Sequence, residues 1–500
     1  MTYHNDNARS GQNLGEKILT LSNVNSSSFG KLFVISVDGK VDAQPLYLTQ
    51  VSIPNQGKLN LVYLATEHGS VYGVDADNGT LLWQVSMLAA GETTSDDHGC
   101  SQVTPEIGVT ATPVIDPKAG PHGTMYVVAM SKDGSGTYHQ RLHALDVTTG
   151  AEQFGGPQDI QASFLGTGDN SSGGKVIFAP GQYAERAGLL LLNGVVYTAW
   201  TSHCDFRPYT GWIMGFNQTT LAQVSVLNVT PNGNEGSVWM AGSGLAADTS
   251  GNIFLLDANG TFDSTLDANG FPSQGDFGNA FLKISTANKL AVADYFEMFN
   301  QSAENGSDED LGSGGALVLP DLTDGMGHTR HLAVGAGKDS NIYVVDRDAM
   351  GKFNSNTNNI YQELQGALSG SVFSMPACFN NTVYFGAVGD RIKAFAVSNA
   401  QLASTPASQT ANAFGFPGAT PSISANATSN AILWAAENGS TAVLHAYDAT
   451  NLSHELYNSN QASGGRDQFG TGNKFITPMI TNGKVYVGTT KGVGVFGLLH

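Results

Sequence analysis

One pattern returns eight times along this chain, and it limits the folds available more than any other feature. A short apolar strand with Pro or small residues leads to a turn and a Val-Tyr-type strand. A Gly or Asp turn follows, then a strand ending near Asp. The copies are 43–48 with 61–83, 111–116 with 124–130 and 141–154, 188–200 with 211–220, and 242–260 with 280–286. They continue at 312–321 with 331–353, 374–397, 419–450 and 476–498. Repeats of this length mean units that cannot bury their apolar faces alone and must stack. Radial stacking of four-stranded antiparallel blades is the solution that also removes open edges. The expected fold is therefore all-β: an eight-bladed β-propeller. Its last repeat stops after three strands, and KLFVISV (31–37) is free to supply the missing outer one.

Composition agrees with many short strands and tight turns. Only 13% of residues are charged, 61 are Gly, and 41% are hydrophobic. Five hundred residues would ordinarily be split into domains, but closed β architectures run long as one unit. Residues 1–500 are read as a single domain, with 1–30 as an N-terminal extension packing on the ring. The formal net charge of −19 disfavours nucleic acid and anionic membranes as partners. No apolar run reaches the length of a membrane span.

The three cysteines, Cys100, Cys204 and Cys378, include no CxxC or CxxCH motif, which excludes c-type haem attachment within these residues. Their arithmetic is one disulfide and one buried thiol. Cys378, in the apolar segment MPACF, is the thiol. Cys100 and Cys204 would form a disulfide in an oxidising compartment. A soft metal site of His98, Cys100, His203 and Cys204 is the alternative, ranked behind the disulfide.

In each repeat the turn between the second and third strands falls on the face that also carries the crossing to the next blade. That face collects Glu67, His68, the 131–141 loop, the 202–205 turn, Asp257, Asn259, Lys338 and Glu437. Long polar crossings at 88–110, 155–187, 228–241, 297–313 and 458–475 join them. Such loops gathered on one face mark a binding surface.

The segment VDADNGTLLW (74–83) resembles the tryptophan-docking repeat of the pyrroloquinoline quinone (PQQ) alcohol dehydrogenases, with fainter copies at 144–154 and 446–457. Trp83 stands at the docking position, and Phe154 and Tyr457 at the comparable places. The resemblance spans almost the whole chain and implies a quinone cofactor held near the axis with Ca²⁺ or a lanthanide, bound by hard oxygen ligands. Lys338, in GAGKDSNIYVVDRDAMGK (335–352), is similar to the family Lys that faces the quinone oxygens; otherwise it is a solvated turn residue. In SDEDLGSGG (307–315) Asp310 matches the catalytic base and Asp308 an added cation ligand; otherwise this is an acidic surface loop.

Asn259, in FLLDANGTFD (254–263), matches the amide ligand, although Asn-Gly is also an ordinary turn pair. Asp205 stands where the family has a carboxylate ligand in blade three. Two departures oppose a working quinone site. HGCSQVTPEIG (98–108) has only Cys100 where the family has adjacent cysteines over the ring. SGLAA (243–247) stands where the family has its Trp floor, with Trp239 a few residues upstream and able to reach in. Glu106 and Glu235, in long crossings, are placed to line the funnel.

The leading expectation is a secreted or periplasmic PQQ-type oxidoreductase acting on a small-molecule alcohol or sugar hydroxyl. Asp310 would take the proton, Lys338 would polarise the quinone, and electrons would pass to a separate acceptor. The opening Met1-Thr2-Tyr3-His4-Asn5-Asp6 has no signal-peptide pattern, so secretion after signal removal follows from composition and the resemblance. The main rival is a non-catalytic secreted propeller that binds carbohydrate or protein at its funnel, its cofactor site vestigial. A propeller hydrolase or lyase using Glu67, His68, Glu106 and Glu235 is a third.

Overall fold

The computed structural model describes residues 1–54 and 56–499. Among the described residues eight main, largely antiparallel sheets follow one another along the chain. The first is Leu46–Ile53, Gly57–Ala65, Ser70–Asp75 and Leu81–Ser86. The second is built on Thr124–Lys132 and Tyr138–Asp146, the third on Val195–Ser202 and Trp212–Asn217. The fourth centres on Asn252–Leu256 and Phe281–Ser285, the fifth on Leu332–Ala336 and Ile342–Asp346. The sixth and seventh centre on Thr382–Phe385 with Lys393–Ser398, and Ser429–Glu437 with Val443–Asp448. The eighth holds Met479–Thr481, Lys484–Gly488 and Gly492–Leu498, and Phe29–Ser36 pairs with Gly492–Leu498 as its fourth strand.

Each sheet buries both faces. In the first, Leu61, Tyr63 and Ala65 meet Met125 and Val127 of the second. The intervening Val62 and Leu64 meet Tyr486 and Val495 of the eighth. Similar clusters join each sheet to its successor. Alternation along KVYVGTT (484–490) would suit a strand with one face in solvent, but here both faces are covered. Val485 and Val487 face one neighbour and Tyr486 the other, all fully buried. Covered on both sides, such strands read as nearly continuous apolar runs.

Trp83 shows how neighbouring sheets lock. Its indole lies over Gly73, where a Cβ would come within 2.3 Å of the ring, and reaches Gly150 of the second sheet. Its Nε1 donates to the Val147 carbonyl at 3.2 Å. Truncation to Ala would empty this seam at a cost of roughly 3–5 kcal/mol. Tyr457 fills the corresponding seam between the seventh and eighth sheets, edge-on to Phe29 at 5.0 Å.

The N-terminal residues run past the innermost strands. Their carbonyls accept hydrogen bonds from those strands' free N–H groups. Ala247 donates to Asn7, Val318 to Ala8, Cys378 to Ser10 and Ile423 to Gly11. Arg9 is fully buried, giving its guanidinium protons to Leu245 and Leu189 carbonyls, Tyr3 O and Thr2 Oγ1. Gly11, at φ 71°, admits no side chain because a Cβ would strike the His4 ring at 2.3 Å. The segment thus satisfies backbone donors that an inward-facing strand edge would leave bare.

The expected 131–141 loop is mostly strand: the hairpin runs through Lys132 and resumes at Tyr138, leaving a five-residue turn. Glu437 is the last residue of its strand and binds His445. Within the crossing 155–187, residues 163–177 make a small three-stranded sheet. No described helix is long and apolar enough to cross a membrane.

Candidate functional site

Asp310 follows a short helix, Gln301–Gly306, and its carbonyl accepts the backbone N–H of Lys338 at 2.9 Å. That bond sets the crossing into the fifth sheet against the turn in which Lys338 sits. Asp310 Oδ1 receives the Asn259 backbone N–H at 2.7 Å, and Oδ2 is bound by the Lys338 ammonium. The same ammonium reaches Asp308 Oδ1 at 2.8 Å, and Asn259 Nδ2 donates to that oxygen at 3.3 Å. Lys338 Nζ also stands 5.6 Å from the Trp239 ring centroid. Five residues from two crossings and two turns, expected separately from sequence, are therefore in one place.

Burial raises the Asp310 carboxyl above its ordinary range, and the Lys338 ammonium opposes that rise. Burial alone would lower Lys338, but Asp310 and Asp308 outweigh it and hold the ammonium above its usual value. Asn259 Oδ1 is buried with no hydrogen-bond partner. Behind it, Asp257 and Glu297 are fully buried carboxyls raised well above the usual range by desolvation.

The opposite side of the site is cationic. Arg186 Nη1 binds Asp42 at 3.2 Å, and Asn473 Nδ2 binds the other Asp42 oxygen at 2.7 Å. Lys40 lies 3.8 Å from Glu67, and Lys474 Nζ donates to the Ser101 carbonyl at 2.7 Å. Burial, then the neighbouring Asp42, pushes the Glu67 carboxyl up to about 10, so it is protonated at neutral pH. Burial, then Lys40 and Arg186, lowers Lys474.

Between the two sides is a cleft of about 450 Å³ lined by Trp239, Phe373, Phe416, Phe475, Lys338 and Lys474 among others. Trp239 and Phe373 meet edge-on at 5.4 Å, and the Arg186 guanidinium stands 5.5 Å from the centre of the Phe475 ring. A smaller enclosed pocket adjoins it, sharing Trp239 and Phe475 and walled by Cys100, His203 and Arg186. Cys100 is joined to Cys204 in a disulfide with Cα atoms 5.6 Å apart, and Cys378 is a buried free thiol.

Two residues expected at the site lie elsewhere. Glu106 binds His68 Nδ1 at 3.0 Å and accepts the Thr94 hydroxyl, apart from the Asp310–Lys338–Asn259 cluster. A short strand pairing of 106–107 with 93–96 draws it to the second sheet's edge. Asp205 is on the exposed rim, accepting from Ser202 and from Tyr209 at 2.9 Å. The carboxylate that backbone pairing brings beside Asn259 is Glu235, bridged to Gly260. Burial raises its carboxyl, and Asp205, Asp169 and Asp310 add to the rise against Arg207. Among the described residues no three acidic, His or Cys side chains converge as a ready metal site; the charge between Asp308 and Asp310 is that of Lys338.

No protein-family model matches the chain, and no curated protein is similar to it in sequence. Solved structures do match. A quinohemoprotein alcohol dehydrogenase from Comamonas testosteroni superposes with a TM-score of 0.64 at 13% identity, covering 99% of this chain and 80% of that one. A quinohemoprotein alcohol dehydrogenase from Pseudomonas putida gives 0.62 at 13% identity over 100% and 80%. A europium-containing methanol dehydrogenase gives 0.58 at 11% identity over 98% and 90%. The fold is a β-propeller. At these identities the likeness carries the propeller's architecture and leaves its chemistry to the side chains. Arg186, Lys474, Phe373, Phe416 and Phe475 were missed in the sequence because no local motif marks them; the propeller's loops alone bring them together.

Proposed function

We propose that the eight sheets are eight blades of one ring, closed by Phe29–Ser36, with residues 1–30 packed onto it. We propose further that the cleft is the active site of an extracytoplasmic quinoprotein oxidoreductase acting on an alcohol or sugar hydroxyl. The observation that carries this reading is the convergence of Asp308, Asp310, Asn259, Lys338 and Trp239. The disulfide supports an oxidising compartment.

The residues present suit both groups that the fold implies. Asp308, Asp310 and the unpartnered Asn259 Oδ1 are oxygen donors of the kind Ca²⁺ or a lanthanide takes, and a cation there would have to displace the Lys338 ammonium that pairs with both carboxylates. Trp239 offers a half-exposed ring, and Arg186, Lys338 and Lys474 supply cations for an acidic quinone such as PQQ. When bound, the quinone would supply a two-electron sink for the hydride removed from the substrate carbon.

The chain's own side chains do the rest. Asp310 is oriented by the Asn259 N–H, and the Lys338 ammonium opposes the rise that burial imposes on its carboxyl, which suits it to receive the hydroxyl proton. Phe373, Phe416 and Phe475 exclude water from the reacting end and admit a small apolar substituent. A separate acceptor would be needed for the electrons.

Adding PQQ with Ca²⁺ or a lanthanide to the purified protein should produce a bound-quinone absorption band, quench Trp239 fluorescence and allow dye reduction with an alcohol or sugar. D310N should retain the band and lose dye reduction. If neither metal yields a band, the cleft binds something else and the non-catalytic propeller takes its place.

A further inference from the structure

Among the described residues, Phe416 alone of the exposed large apolar side chains lines the cleft. It is 51% exposed, whereas Phe475 is buried and Trp239 and Phe373 are half-buried, so Phe416 belongs to the mouth. Its backbone is fixed on both sides. Asn438 Nδ2 donates to the Phe416 carbonyl at 3.3 Å. The Gly389 N–H donates to the Phe414 carbonyl, and the Gly418 N–H to the Gly415 carbonyl, each at 2.7 Å. Phe373 and Phe475 meet the ring nearly edge-on at 5.5 and 6.1 Å, with planes inclined by 67° and 79°. An aromatic ring left half in solvent and held this firmly is preorganised for a flat apolar partner.

The cleft is nevertheless no apolar slot. Gln102, Ser307, Asp308, Glu309 and Ser371 line it beside the rings, and they come from three separate segments of the chain. An alkyl or aryl alcohol seated there would strip water from these groups without replacing its hydrogen bonds, which costs affinity. Its volume of about 450 Å³ is also more than a short alcohol fills. A ligand that suits both the free ring and the polar groups has one flat face of C–H bonds and hydroxyls around its edge. That is a pyranose.

We propose that the substrate class is carbohydrate: a pyranose stacks its C–H face on Phe416 while Gln102 and Ser307 bind its hydroxyls. Its oxidation rests on the oxidoreductase reading; its binding does not.

The test uses the full chain with no quinone or metal added. Saturation-transfer NMR is recorded with glucose, galactose, maltose and cellobiose, and with butanol and benzyl alcohol for comparison. The expected result is transfer to the C–H protons of at least one of the sugars, stronger than to either alcohol at equal concentration. F416W should keep that binding, and F416A should weaken it about tenfold, with unchanged circular dichroism because the ring is half in solvent. Should F416A fail to fold, Q102A supplies the same comparison. Absence of sugar binding overturns the proposal, as does sugar binding undiminished in the folded variant. The absorption band on adding PQQ judges the other reading separately. A band without sugar binding sinks the carbohydrate proposal alone, and sugar binding without a band sinks only the dehydrogenase.

Discussion

Two clusters of ionisable groups, one reaching the cleft through Asp308 and Lys338 and the other through Lys474, hold similar numbers of groups and opposite balances of charge. On the side of the fourth and fifth sheets, one ammonium, Lys338, serves both Asp308 and Asp310, and Glu235 is close by. On the other side, Lys40, Arg186 and Lys474 face Asp42 and a Glu67 held protonated. The acid-rich wall has oxygens to spare for a cation or a proton, and the basic wall has cations to spare for a carboxylate. An occupant that satisfies both is bipolar, with a metal or hydroxyl at one end and anionic groups at the other. Neither wall would be informative alone, since buried ion pairs are common structural features.

The sharpest way to break this contrast is K338A. Asp310, 5% exposed, would lose its only ammonium, and breaking a buried pair from one side costs about 3–5 kcal/mol at pH 7 by urea unfolding. The loss should shrink in acid, where Asp310 takes up a proton, and dye reduction should vanish. Unchanged stability at neutral pH would mean that Asp310 is already protonated and that the wall is not acidic.

E67Q probes the basic wall, with the opposite sign. The Glu67 carboxyl titrates near its ordinary value in the unfolded chain and at about 10 in the folded one. As pH rises above about 4.5, the unfolded state releases a proton that the native state keeps, and stability falls until the folded value is passed. E67Q should match the parent at pH 4 and become progressively more stable than it from pH 5 to pH 8. A variant less stable at pH 8 would mean that Glu67 is ionised and that the cations are balanced. The smallest effect belongs to D308N. Its side chain is 70% exposed, so unfolding should shift by less than about 0.5 kcal/mol, while lanthanide affinity in the cleft falls. A large stability loss would show Asp308 to be a structural anchor instead of a donor to the site.

Much of the acid-rich wall was legible because its residues sit in segments with local character. Asn-Gly closing a strand, the Asp-Glu-Asp run and a Lys two residues beyond a strand end each mark a position in a repeat. Repetition then fixes which face each occupies. Asp205 and Asn259 were read by the same logic with different outcomes. Asn259 is held by backbone pairing to 235–236, whereas the 202–205 turn points Asp205 outward to Tyr209. Glu106 failed for a related reason, because two short strands within a crossing cannot be read from composition and they carried it to His68. The basic wall left no trace in the sequence. Lys40, Arg186 and Lys474 come from three separate segments with no shared motif.

By itself the sequence determined the all-β class, the run of short antiparallel strands and the seam residue Trp83. Those follow from short-range periodicity and turn chemistry, repeated often enough to outweigh local ambiguity. It also narrowed the cysteines to one bridge and one buried thiol. Tertiary structure alone decided that residues 7–11 run inside and supply acceptors to four innermost strands. It alone set positive charge opposite negative across a cleft and gathered four aromatic rings along it. These depend on distances between segments tens to hundreds of residues apart, which a chain specifies only once its sheets have packed against one another.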